Sequence, residues 1–238
     1  MKPKKSLGQN FLINNKILNL IIQHGEIKRE DIILEIGPGT GKLTEKIIEK
    51  KPLKLITVEK DKILSDQLKT KFGNKLEVIN EDILKYYNKF KFNSPIKVFG
   101  NLPYNISTKI LTSFINLDNL SNIYSHFFFI FQKEVADRIV AEFNTKQYGR
   151  ISILTSWKMH KLKILDIPPI DFYPAPKVWS SLVIFKPKKN FENIKKSRNL
   201  EHITNIFFSQ RRKMIRKPFK QLFTDYESKA KKLNIDLN

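Results

Sequence analysis

The segment Gly100-Asn101-Leu102-Pro103-Tyr104-Asn105-Ile106 sets an amide, a proline and an aromatic side by side, directly after the apolar run Ile96 to Phe99. These residue types fit work on an aromatic amine such as adenine N6. That amine is a poor nucleophile because its lone pair is delocalised into the ring. The Asn101 side-chain oxygen and the Pro103 carbonyl could both accept hydrogen bonds from it and direct the lone pair at an electrophile. Such catalysis is positioning and electrostatics, and it needs no strongly basic residue. Tyr104 offers a face on which a flipped base stacks, worth about 1–3 kcal/mol. The competing reading of Asn-Leu-Pro-Tyr is a β-turn with a buried tyrosine. A second aromatic, Phe172, lies in a loop stiffened by Pro168, Pro169, Pro174 and Pro176 and is a candidate for the opposite wall of the base pocket. The alternative is that Phe172 packs beneath a hairpin.

The electrophile needs a holder, and Leu34-Glu35-Ile36-Gly37-Pro38-Gly39-Thr40-Gly41-Lys42 is one. Glycines permit a tight turn and let a ligand approach the backbone. Such loops after strands serve NAD, FAD, nucleotides and S-adenosylmethionine (SAM) alike. The phosphate-binding pattern GxxxxGK[ST] is not met, because Leu43 follows Gly41-Lys42.

The acids that follow narrow the choice. Glu59 closes the next apolar run, 22 residues after Gly37, where a carboxylate accepts hydrogen bonds from the ribose hydroxyls of an adenosine ligand. Asp82 follows the third run, within reach of the ligand's adenine amine. Glu35 adds negative charge beside the loop. This setting repels a diphosphate and suits the positive sulfonium of SAM. Each acid alone is as well explained as a solvated strand end; the three in order, at the ends of successive strands, are not.

The elements that must position these groups are legible from apolar spacing. Asn15 to about His24 has helical spacing, with Ile17, Leu18, Ile21 and Ile22 on one face. Short strand-like runs follow at Ile32–Ile36, Leu55–Val58, Leu76–Ile79 and Ile96–Phe99, separated by charged, helix-compatible stretches. Alternation of this kind predicts a doubly wound α/β sheet of Rossmann-like type. Tyr124–Phe131 is a fifth strand and Lys133–Phe143 a helix. Leu162–Ile167 and Val178–Phe185 flank the proline-rich loop with no room for a helix, so they should pair as a terminal antiparallel hairpin.

Composition bounds the rest. The chain has 238 residues and a net charge of +21, which favours a polyanionic partner; its lysine-rich usage could also reflect compositional drift. It has no cysteine, which excludes disulfides and thiolate metal sites. His24, His126, His160 and His202 lack metal-ligand spacing, so no metal is expected. The basic start Met1–Lys5 leads into no long apolar stretch and no apolar run could span a bilayer, so a cytoplasmic protein without membrane association is expected. From residue 186 to 238 there are fifteen Lys/Arg against five Asp/Glu. This predicts two domains, a cofactor-binding domain over 1–186 and a small basic helical RNA-binding domain over 187–238. A helix over Gln210–Lys217 would put Arg212 and Arg216 on one face, and Arg211, Arg212 and Arg216 are the candidate phosphate contacts.

Four motifs taken together resemble the ribosomal RNA adenine dimethyltransferases, and within them the group that acts on the small subunit. They are Ser6-Leu7-Gly8-Gln9-Asn10-Phe11-Leu12, Glu35 to Gly41, Asn101-Leu102-Pro103-Tyr104-Asn105-Ile106-Ser107, and Phe172-Tyr173-Pro174-Ala175-Pro176-Lys177-Val178. The likeness continues through Phe208-Ser209-Gln210-Arg211-Arg212-Lys213, so it spans nearly the whole chain. It implies a SAM-dependent methyltransferase fold and dimethylation of N6 on two adjacent adenosines near the 3′ end of 16S rRNA, in an assembling small subunit, by a monomer. It also implies SAM contacts at Asn10, Leu12, Gly37, Glu59, Asp82 and Asn101, with Asn10 and Leu12 in an N-terminal flap within residues 1–25. Trp179 departs from the family's usual aspartate, Pro218 falls where the family tolerates a continuing helix, and the chain ends at Asn238, short of typical members. Two alternatives stay open: an erythromycin-resistance-type enzyme acting on 23S rRNA, and an assembly factor whose main role is binding.

Overall fold

In the structure, a computed structural model describing residues 3–4, 7–210 and 213–237, a short flap strand β1 (Phe11–Leu12) leads into helix α1 (Asn15–Gly25). Asn14 caps α1, its side-chain oxygen accepting from the Lys16 N–H at 2.8 Å. Then follow β2 (Ile32–Ile36), α2 (Lys42–Glu49), β3 (Lys54–Val58), α3 (Lys62–Phe72), β4 (Glu77–Ile79), α4 (Ile83–Tyr86), β5 (Ile96–Asn101), α5 (Ser107–Ile115), α6 (Leu120–Ile123) and β6 (Tyr124–Gln132). The remainder is α7 (Lys133–Val140), α8 (Arg150–Lys158), β7 (Met159–Ile167), β8 (Phe172–Tyr173), β9 (Ser180–Pro187), α9 (Ser197–Ser209), α10 (Arg216–Leu222) and α11 (Tyr226–Lys232).

Seven strands form one sheet in the order β4-β3-β2-β5-β6-β9-β7. The first five are parallel. β9 runs antiparallel to both β6 and β7, as the hairpin expectation requires. The alternation within each strand divides the core in two. Ile32, Leu34, Ile36, Val98, Phe127, Phe129 and Phe131 face α4, α5, α7 and α8. Ile33, Leu55, Phe99, Phe128 and Ile130 face α1, α2 and α3. Both sheet faces are therefore covered, which is why the strands read as continuous apolar runs. Each buried Phe or Ile contributes about 1.5–3 kcal/mol.

Three expectations need correction. The helix expected over Lys133–Phe143 stops at Val140, and α8 was not foreseen. In α8 the inward positions include Ser152 and Thr155, whose hydroxyls donate to the Arg138 carbonyl (2.6 Å) and the Ile139 carbonyl (3.3 Å) of α7. Hydroxyls in place of aliphatic side chains erased the apolar period. Third, the helix expected over Gln210–Lys217 is not one element: α9 ends at Ser209 and α10 begins at Arg216. Arg211 and Arg212 themselves lie outside the described residues. Pro218 occupies the third position of α10, in the first turn, where a missing N–H costs nothing.

Candidate active site

The chain passes from β2 outward to β3 and β4, then returns to β5 on the other side of β2. That reversal opens a crevice at the carboxyl ends of the strands, the place where doubly wound sheets bind ligands. Gly37 follows β2, Glu59 follows β3, Asp82 lies just beyond β4, and Asn101 ends β5. Together with Asn10, Pro103 and Tyr104 they line one cavity, whose apolar walls include Ile36, Val58, Leu64 and Ile83. Ile36 belongs to the glycine-loop motif, while Val58, Leu64 and Ile83 carry none and only their place at strand ends and helix starts marks them.

The glycine loop is shaped by close approach. Gly39 has φ +58°, and a Cβ there would lie 2.6 Å from the Phe11 ring of the flap. Gly8, with φ +63°, lies so close to the tetrapeptide that its Cβ would be 3.3 Å from the Asn105 side-chain oxygen. The flap thus rests on both halves of the site. Its strand pairs antiparallel with β8, Phe11 opposite Tyr173 and Leu12 opposite Phe172. Leu12 is buried and lines a smaller hollow beside Glu35, Gly37 and Pro38 rather than the main cavity.

Glu59 is not the solvated strand end its position suggested: it is only 6% exposed. Its Oε2 accepts the Gly39 N–H at 3.2 Å and its Oε1 accepts the Asp61 N–H at 2.8 Å. Burial raises its pKa against the opposing pull of those two bonds. Glu35 is also buried, and burial lifts its pKa to about 8, the Thr44 hydroxyl (2.7 Å) opposing this and the nearby Glu59 adding to it. Asp82 caps α4 through Leu84 N–H (2.9 Å) and pairs with Lys60 (2.9 Å); these bonds hold its pKa low against partial burial. A pair missed by sequence reasoning is Lys4 and Gln9, which reach Asp61 at 2.9 and 3.1 Å and tie the N-terminal segment to the start of α3.

In the tetrapeptide, Asn101 Nδ2 donates to the Asn10 carbonyl at 2.6 Å. The Pro103 carbonyl accepts the Ile106 N–H at 3.1 Å, so the β-turn reading is part of the truth and one lone pair of that carbonyl remains for a ligand. Tyr104 is half-buried, its hydroxyl within 2.5 Å of Ser180 Oγ. Burial raises its pKa, so it is a neutral ring held at its far end. Phe172, by contrast, is 2% exposed and packs in the core with Leu12 and Ile167. The structure does not bring it to the cavity wall with Tyr104. Among the described residues no group of acids and histidines could hold a metal ion, and no helix is long and apolar enough to cross a membrane.

The cavity brings the Glu59 and Asp82 carboxylates, the apolar walls and the glycine-loop backbone together. The family model described as ribosomal RNA adenine dimethylase matches residues 1–238. A protein of Pelagibacter ubique named ribosomal RNA small subunit methyltransferase A is 53% identical over all of this chain and 90% of its own length. One of the same name from Prochlorococcus marinus is 40% identical over 95% of this chain and 84% of its own. A dimethyladenosine transferase from Plasmodium falciparum superposes with TM-score 0.73 at 28% identity, over 95% of this chain and 82% of that one. The 23S rRNA methyltransferase ErmE superposes at 0.70 over 95% and 91%, and at 19% identity it speaks for the fold alone. The chain belongs to the ribosomal RNA adenine dimethylase family.

Proposed function

We propose that this enzyme transfers methyl groups from SAM to N6 of two adjacent adenosines near the 3′ end of 16S rRNA, in the cytoplasm, as a monomer acting on an assembling small subunit. Methyl transfer from SAM to ribosomal RNA adenine follows from family membership. The observation that carries the site assignment is the meeting of Asn101, Pro103 and Tyr104 with Gly37, Glu59 and Asp82 around one cavity. SAM, when bound, supplies a methyl group on a positively charged sulfur.

The protein's own part is to hold the partners. Glu59 accepts the ribose hydroxyls and Asp82 the adenine amine, while Asn10 and the flap close over them. Leu12 supports that flap from below. At the substrate side Tyr104 stacks the flipped base, and Asn101 Oδ1 and the Pro103 carbonyl accept hydrogen bonds from the amine N–H groups, directing the lone pair at the methyl group. Phe172 contributes by fixing β8 under the flap. The basic residues Arg211, Arg212 and Arg216, with the rest of the segment from 187 to 238, bind RNA phosphates as a second domain. The small-subunit reading is favoured over the 23S and binding-only alternatives by the names of the relatives at 40–53% identity. Labelled SAM incubated with unmethylated small or large subunits tests it: label in small-subunit rRNA supports the proposal, and label confined to the large subunit overturns it.

A further inference from the structure

Two tryptophans behave differently. Trp157 has its indole N–H bonded to the Glu192 carbonyl at 2.7 Å and its ring edge-on to Phe191. Trp179 is 50% exposed, and no acceptor for its indole N–H occurs among the described residues. An isolated exposed apolar residue needs no explanation, but Trp179 is not isolated. It lines a groove whose walls come from α5, α7, the loop before α8 with the start of α8, and the segment Lys177–Trp179 that leads into β9. Its neighbour Ser180 is the residue that holds the Tyr104 hydroxyl, so the indole stands one residue from the proposed base pocket.

The groove's charge is one-sided. Its acids are already paired: Glu134 with Arg138, and Asp137 with Lys163. Lys109, Lys146 and Lys177 are exposed and ion-pair with no acid among the described residues. The platform is also rigid. The Trp179 carbonyl accepts the Lys133 N–H at 2.8 Å, and Ser180 is paired with Gln132 in the sheet. An exposed aromatic on an anchored backbone, with uncompensated cations around it, is the arrangement that binds single-stranded nucleic acid, by base stacking along a phosphate track.

We propose that Trp179 stacks the base next to the target adenine, while Lys109, Lys146 and Lys177 hold the phosphates of that same single-stranded RNA segment. The proposal rests on the reading of the neighbouring cavity as the adenine site. The flipped adenine on Tyr104 and its neighbour on Trp179 would then be held by two successive anchors of one rigid strand start, which fixes register along the RNA.

The test compares Trp179→Phe, Trp179→Leu and Trp179→Ala for binding to unmethylated small subunits, with SAM affinity and melting temperature measured alongside. Leucine keeps apolar bulk and has no π-face, so stacking and plain packing separate. The alanine and leucine variants are expected to bind subunits about 5- to 100-fold more weakly, the loss of one base stack, with phenylalanine within about threefold of wild type. SAM affinity and melting temperature should not move. Equal binding by all three variants overturns the proposal, as does a leucine variant that binds like the phenylalanine one. Wild-type methyl transfer to the same subunits is the control: if it is absent, the adenine-site reading fails and this proposal with it, whereas transfer with unaltered variants removes Trp179 alone.

Discussion

Asn101 Nδ2 lies 2.6 Å from the Asn10 carbonyl, so the end of β5 and the N-terminal flap share one hydrogen bond. A carbonyl only accepts, so the amide nitrogen must face Asn10, and Oδ1 is the acceptor left for a substrate amine. Flap closure therefore sets the orientation on which the proposed chemistry depends.

Asn101→Ala should lower the single-turnover rate at saturating SAM by roughly 10²–10³-fold, the usual cost of losing a preorganised hydrogen-bonding group. It should also weaken SAM binding, because the flap loses its anchor. A rate within about threefold of wild type would remove Asn101 from the chemistry.

Glu59→Gln and Glu59→Ala should both weaken SAM binding and both lower stability, since glutamine keeps an acceptor for only one of the two backbone N–H groups that Glu59 holds and alanine for neither. Removing the side chain leaves the Gly39 and Asp61 N–H groups without their acceptor, at a cost of about 1–3 kcal/mol. Calorimetry for binding and denaturant titration for stability separate the two effects. Unchanged SAM affinity in both variants would take Glu59 out of the ribose role.

This distinction marks how far the sequence reaches. The carboxylate's place at the end of β3 follows from counting residues, and the strand order follows from the alternation of apolar runs. Its burial does not, because the covering atoms come from the glycine loop 20 residues earlier. Phe172 shows a related limit: a proline-stiffened loop fixes the backbone but does not say which face the ring takes, and here the ring is buried with Leu12 of the flap strand. Helix α8 was hidden by buried hydroxyls, and the tie from Lys4 and Gln9 to Asp61 joins segments with no local signal.

Glu35 makes stability depend on pH. Its folded pKa of about 8 lies above the ordinary carboxylate value of 4.5, so the folded state holds a proton that the unfolded chain releases. That contribution is fully present below about 4.5 and is lost as pH rises towards 8. Glu35→Gln should flatten this part of the profile, so the difference in melting temperature between variant and wild type should shift in the variant's favour from pH 5 to pH 8. Parallel curves for the two proteins would show that Glu35 is not the titrating group.

Replacing Arg211, Arg212 and Arg216 together with glutamine should leave SAM affinity unchanged and weaken subunit binding. The slope of log affinity against log salt should fall by about 0.7–0.9 per lost phosphate contact. Unaltered affinity and slope would move RNA docking to the sheet domain and its groove.

The proposed reaction is dimethylation of two adjacent adenosines of small-subunit rRNA in the cavity around Asn101. Its most direct test is mass spectrometric mapping of 16S and 23S rRNA after reaction of the wild-type enzyme with unmethylated subunits, with Asn101→Ala in parallel. The account predicts two adjacent N6,N6-dimethyladenosines near the 3′ end of 16S rRNA, both greatly reduced with the variant. Modification of a 23S adenine, of a single isolated base, or at equal levels with Asn101→Ala would contradict it.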